Sequence, residues 1–128
     1  MLDQKVVALL NQQVNKEFYS AYLYLDFSNY YYDHGLDGFG SWYRVQAQEE
    51  RDHAMLFIQY LQNNGEKITL EAIDRPAVAL DSPKAVLGEG LKHERYVTEL
   101  IHTIYAAAHE VKDFRTMQFL DWFVKEQG

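Results

Sequence analysis

The sequence predicts an all-α fold: a four-helix bundle with one long crossover between its second and third helices. Three observations carry that prediction. Apolar residues recur at the helical period over three long stretches. Both prolines, Pro76 and Pro83, fall between or at the edges of the second and third stretches. The interval between them, about residues 66–82, has no sustained period and is long for a loop in a compact domain.

The first helix is predicted over about residues 3–34, where nothing breaks a helix and Val6, Leu10, Val14, Phe18, Ala21 and Leu25 form the apolar stripe. Gly35 after His34 is its C-terminal cap. "GLDGFGS", residues 35–41, is a short connection, so the second helix, about 38–64, runs back antiparallel to the first and stops at Gly65. The aromatic run "YYYD", residues 30–33, reads as core and inter-helix packing. In the following interval "KITL" reads as a short strand-like piece. A crossover running the length of the bundle accounts for so long a loop and makes helices two and three parallel. Ser82 and Pro83 are matched to a helix start, serine as N-cap and proline as first helical residue. The third helix, about 83–110, carries Val86, Leu87, Leu91, Val97, Ile101, Ile104 and Ala108. The fourth, about 113–127, carries Phe119, Leu120, Trp122 and Phe123. At ~1.5 Å per residue the first three reach about 40 Å and the fourth only about 22 Å. Residues 1–128 thus read as a single domain, cut short within its fourth helix and with part of the core exposed.

Composition narrows the function classes. With 48% hydrophobic and 15% aromatic residues, the 128-residue chain has the makings of a packed core, the opposite of a disordered segment. A formal net charge of −7 argues against nucleic acid as a partner. The absence of cysteine removes disulfides, thiolate metal sites and a cysteine nucleophile. No apolar run approaches the ~18 residues of a membrane span, and the N-terminal segment has no cleavage pattern. The expectation is a soluble cytoplasmic protein with no membrane partner.

The chemistry lies in acids that interrupt the apolar stripes. Glu17 falls in the line Leu10, Val14, Glu17, Ala21, Tyr24. Glu50 and His53 fall in the line Trp42, Gln46, Glu50, His53, Phe57. Glu94 sits among Leu87, Leu91, Val97 and Ile101. All are near mid-helix, where antiparallel packing brings them to one level. Several buried carboxylates are costly unless a cation satisfies them together. Three carboxylates and one imidazole without sulfur disfavour structural zinc and copper(I) and suit iron or manganese. Carboxylates from several helices plus a Glu-x-x-His make the ligand plan of a di-metal carboxylate site. Glu50 would bridge, Glu17 and His53 would complete one position, and Glu94 would serve the other. Tyr24, two turns beyond Glu17, is placed to hydrogen-bond a ligand or donate an electron. Glu49 either flanks the site or is solvated. A lone Glu-x-x-His is a weak signal, and an isolated inward glutamate is more often salt-bridged. Acids and imidazole on three helices are harder to dismiss. His34, His93, His102 and His109 show no partner pattern and read as surface residues.

Over essentially its whole length the chain resembles the non-haem bacterial ferritins. The resemblance is carried by "NKEFYSAYLYLDFSNYYYDHGLDGFGSWYRVQAQEERDHA", the long crossover, "LKHE" and "TMQFLDWFVKEQ". It implies a ferritin-like four-helix subunit acting as a ferroxidase: iron(II) oxidised by dioxygen or peroxide at a dinuclear centre. It also implies a homo-oligomeric, 24-subunit shell storing iron(III) mineral. By the resemblance, Glu17, Glu50 and His53 match the first iron position and Glu50 and Glu94 the second. Tyr24 matches the tyrosine beside the centre and Gln127 a nearby glutamine of helix four. Glu49 and Glu126 match two ligands of a third iron position. Arg51 stands where haem-binding relatives carry a ligating methionine, so no haem is expected. Relatives of this kind continue past "KEQG" with further acids and a short fifth helix. The alternatives are a structural or assembly bundle with an incomplete metal site and a di-metal oxidase of an organic substrate.

Overall fold

A computed structural model of the chain describes residues 2–127, Gln127 by its backbone only. It contains four α-helices: α1 (Gln4–Asp33), α2 (Asp37–Asn63), α3 (Pro83–Glu110) and α4 (Phe114–Gln127). Among the described residues there is no strand, and no helix is long and apolar enough to cross a membrane.

Local chemistry sets the helix ends. The Asp3 carboxylate accepts from Lys5 N at 2.9 Å and starts α1. The Ser82 hydroxyl accepts from Ala85 N at 3.0 Å ahead of Pro83, and the Asp113 carboxylate accepts from Thr116 N at 3.0 Å. Each satisfies an amide that the first helical turn leaves without a partner. The three C-terminal turns share one device, in which two amides beyond the helix fold back onto its last carbonyls. Leu36 N donates to Tyr31 O at 2.8 Å, Glu66 N to Leu61 O at 2.9 Å and Asp113 N to Ala108 O at 2.8 Å. This turn needs one left-handed residue. Gly35 (φ 72°) and Gly65 (φ 70°) supply it twice; Lys112 (φ 56°) supplies it the third time.

Two apolar clusters lie at opposite ends of the bundle. One gathers Val6, Leu10 and Val14 of α1, Phe57 and Leu61 of α2, Ile101 and Ile104 of α3, and Leu120 and Phe123 of α4. The other gathers Leu23, Tyr24, Phe27 and Tyr31 of α1, Tyr43 and Ala47 of α2, and Val86 of α3. The start of α1 therefore meets the ends of α2 and α3: α1 is antiparallel to both, and α2 and α3 are parallel. Aromatic stacking fixes α4 on α2, with Phe57 on Phe123 at 4.5 Å and Tyr60 on Phe119 at 4.1 Å between ring centroids. A chain of hydroxyls, Tyr60 to Thr116 (2.8 Å) and Thr116 to Asp113 (2.6 Å), ties the end of α2 to the start of α4.

On α3, Val86, Val97, Ile101, Ile104 and Ala108 are buried as expected, and the stripe departs from expectation only in the first turns. Leu87 and Leu91 are exposed (40% and 56%), whereas Val86, Gly90 and Val97 face inward. The reason lies at Gly90, where a Cβ would sit 2.2 Å from the Tyr43 hydroxyl: α3 presents its glycine to let that ring in. Trp42 on α2 and Leu25 on α1, also expected on inward stripes, are exposed, as is Trp122 on α4.

The crossover runs from one cluster to the other, Ile68 against the first and Val78 and Leu80 against the second. The "KITL" piece is extended, but its partner is a helix rather than a strand. Asn11 donates to Lys67 O (3.0 Å) and accepts from Thr69 N (2.8 Å). Asn15, one turn on, donates to Thr69 O (3.0 Å) and accepts from Glu71 N (2.8 Å). A carboxamide presents an N–H donor beside a C=O acceptor, as a strand residue's backbone does, so two asparagines reproduce two rungs of a β-ladder.

Two predictions follow from these contacts. A lysine in the left-handed region costs roughly 1–2 kcal/mol, and glycine's extra unfolded-state entropy roughly 0.5–1 kcal/mol. Lys112→Gly should therefore stabilise the chain by about 0.5–1 kcal/mol, seen as a higher urea midpoint at constant slope; an unchanged midpoint refutes the assignment. In the Asn11→Ala, Asn15→Ala double variant, the amides of Thr69 and Glu71 should lose their protection from hydrogen exchange while core amides of α1 keep theirs.

Candidate metal centre

Between the two apolar clusters the bundle carries a polar layer. Glu17 is fully buried and Glu50 nearly so, and His53 shows only 13% of its side chain. They come from α1 and α2 because those helices run antiparallel with their midpoints level. One ligand atom from each of Glu17, Glu50 and His53 lies within 4.8 Å of the others. His53 Nδ1 is 3.8 Å from Glu17 Oε2 and 3.5 Å from Glu50 Oε2, too long for effective hydrogen bonds. All three atoms are buried and none has a hydrogen-bond partner among the protein groups. Buried polar atoms are nearly always paired. Three orphaned lone-pair atoms converging on one point form the donor set of a cation, two hard oxygens and an imidazole nitrogen.

Gln13, not singled out in the sequence, belongs to the layer. It is buried, and its Nε2 donates to Glu17 Oε1 at 3.0 Å. An amide on the stripe, one turn before an inward glutamate, is the signal that would have found it. Edge-on contacts from Trp122 and Phe123 of α4, both at 5.6 Å, cover the His53 ring.

Glu94 on α3 is not one of the three clustered residues. It is half-buried and accepts a 2.5 Å hydrogen bond from the Tyr24 hydroxyl. Burial raises the Glu94 carboxyl above its usual range, the Tyr24 bond works against that, and the nearby charge of Glu50 adds to it. Burial and the Glu94 charge push the Tyr24 phenol far up, which keeps it a neutral donor. His93, expected at the surface, is instead half-buried with its ring edge-on to Tyr24 at 5.6 Å. The Ser20 hydroxyl gives its proton to Lys16 O (2.9 Å) and so accepts from His93 Nε2 at 2.7 Å. Burial lowers the His93 imidazole below its usual value, which favours its neutral form. Glu49 and Glu126 are exposed and stand outside the buried trio. The Gln127 side chain lies outside the described residues.

Burial, with the Glu17 carboxylate beside it, raises the Glu50 carboxyl to about 8. Burial alone would lower the His53 imidazole, but Glu17 and Glu50 outweigh it and raise the ring to about 10. Both groups are thus held toward their protonated forms. Since each folded value lies above its ordinary one, 4.5 and 6.5, their contribution to stability is full at low pH. It is lost as pH rises from 4.5 to about 8 for Glu50 and from 6.5 to about 10 for His53. A cation must expel the same protons. Adding Zn²⁺ or Co²⁺ to a weakly buffered solution at pH 7 should release about one to two protons per ion, fewer above pH 8, and affinity should rise with pH. Binding without proton release would exclude this trio as the site.

The geometry can be set beside known proteins. Residues 7–128 match the family model Ferritin, a ferritin-like domain. The chain is 39% identical over 127 residues to the bacterial non-heme ferritin of Campylobacter jejuni, covering 99% of this chain and 76% of that protein. Among solved structures it is similar to an open pore ferritin from the archaeon Archaeoglobus fulgidus, with 43% identity over 98% of this chain and 77% of that one and a TM-score of 0.95. It is also similar to the ferritin of Chlorobium tepidum, with 34% identity over 99% and 78% of the two chains and a TM-score of 0.96.

Proposed function

The chain belongs to the ferritin family, and on that premise we propose that it takes up iron(II), oxidises it at the polar layer of the bundle and serves iron storage. One observation carries the reading: three buried, unpartnered donor atoms of Glu17, Glu50 and His53 converge beside the Tyr24–Glu94 pair. In this reading Glu17, Glu50 and His53 hold the first iron ion. Glu50 and Glu94 hold the second, with Glu50 as the bridge. The exposed Glu49 and Glu126 serve a third, outer position, and Gln127 is the helix-four glutamine near the dinuclear centre.

Hard carboxylate oxygens favour iron(III) over iron(II), so the ligand set itself lowers the cost of oxidation. Each of two iron(II) ions gives up one electron, and dioxygen takes both together with two protons to leave hydrogen peroxide. Peroxide serves as oxidant in turn, taking two electrons and two protons to give water. Holding both ions in one chain makes the two-electron step intramolecular. Tyr24 keeps Glu94 oriented by donating to one of its oxygens, and α4 shields the His53 ring with Trp122 and Phe123. Assembly into a multi-subunit shell in the cytoplasm, with iron(III) mineral inside, completes the proposal.

Anaerobic iron(II) titration followed by air tests it. Fast oxidation should saturate at about two ions per chain, and Glu50→Ala should abolish the fast phase while leaving helical content unchanged. Slow, unsaturating oxidation in the parent chain would favour an assembly bundle, and undiminished fast oxidation in the variant would refute the site.

A further inference from the structure

Glu17 is held unequally by its two oxygens. Oε1 accepts from Gln13 Nε2 at 3.0 Å; Oε2 is buried, unpartnered and 3.8 Å from His53 Nδ1. Gln13 sits one turn before Glu17 on α1, is only 2% exposed, and lies in an otherwise apolar line with Leu10 and Val14. A carboxamide buried at such a position is costly unless it is bonded, and Glu17 is the bond it makes. Its orientation is set by chemistry: turned the other way, the amide oxygen would face a carboxylate oxygen, acceptor against acceptor.

Resting on the metal-site reading above, we infer that Gln13 is a positioning residue that makes Glu17 a one-oxygen ligand. The amide protons carry partial positive charge, so they occupy a side of the carboxylate that a cation cannot share. One side of Oε1 is thereby engaged, and Oε2 is the oxygen left without a partner beside His53. Without the amide, Glu17 is free to swing or to wrap both oxygens around a single ion. That would fill a coordination position needed by the oxidant or by the bridging Glu50. The helix makes the arrangement stiff, because residues at i and i+4 are stacked on one side.

The test is anaerobic binding of Co²⁺, followed by its visible absorption, which responds to coordination number. Gln13→Met keeps the shape and removes the donor; Gln13→Asn keeps the amide but withdraws it by one methylene. Either variant, folded by circular dichroism, should bind Co²⁺ about 10- to 100-fold more weakly and with an altered spectrum. In a Glu17→Gln background the same change at Gln13 should have no further effect, because the carboxylate it orients is gone. Equal losses in both backgrounds, or parental affinity and spectrum in the single variants, would overturn the inference. A parent chain that binds no Co²⁺ would instead overturn the metal-site reading on which it rests.

Discussion

Everything in this bundle is arranged around a costly act, the burial of Glu17, Glu50 and His53 at mid-height of the core. Charged groups in such a place destabilise a fold unless they are compensated. Part of the compensation is local: Gln13 takes one Glu17 oxygen, and Glu50 and His53 are held toward their protonated forms. The larger part is apolar. The layer is flanked by two clusters whose fully buried members include Leu10, Leu23, Phe27, Phe57, Leu61, Ile101, Leu120 and Phe123. Each such side chain contributes about 1.5–3 kcal/mol of transfer free energy, so the flanks outweigh the layer. Long helices are the simplest way to have apolar packing on both sides of a polar plane.

That plane also explains why the topology matters. A chain that must present acids from α1, α2 and α3 at one level needs those helices in register, and register is set at their ends. Three matched C-terminal turns and three side-chain caps supply it locally. Between α2 and α3 the ends lie a bundle length apart, and the crossover supplies the register by being fastened along α1. The Tyr31 hydroxyl, which donates to Pro83 O at 2.8 Å, closes the circuit where α3 begins.

Much of this was legible in the sequence, for identifiable reasons. Gly35, Gly65, Ser82 and Pro83 act through their own backbones and side chains, so their meaning is local. Glu17, Glu50 and His53 stood out because an acid on an apolar stripe contradicts its surroundings. The failures are cases where a partner elsewhere decides. On α3 two apolar lines, one through Val86 and one through Leu87, lie about 100° apart. Only the approach of Tyr43 to Gly90 selects between them. His93 was placed at the surface because nothing beside it in sequence marks it; its partners Ser20 and Tyr24 are on α1. "KITL" had a strand's pattern and does adopt an extended form, but its hydrogen-bonding edge is made of side chains, which no strand periodicity reveals.

The asparagine rungs behave as a vernier. Four residues of helix advance ~6.0 Å, and two residues of extended chain ~6.6–6.8 Å. One interval leaves a discrepancy of about 0.6–0.8 Å, which two flexible carboxamides absorb with bonds of 2.8–3.0 Å throughout. A second interval would double it to more than about 1 Å, beyond what such bonds tolerate. A helix can therefore stand in for a neighbouring strand over a handful of residues and no further. The ladder has to end at Glu71, and beyond it the crossover follows the bundle through the apolar contacts of Val78 and Leu80 instead. One inserted residue between Lys67 and Glu71 would throw the rungs out of step.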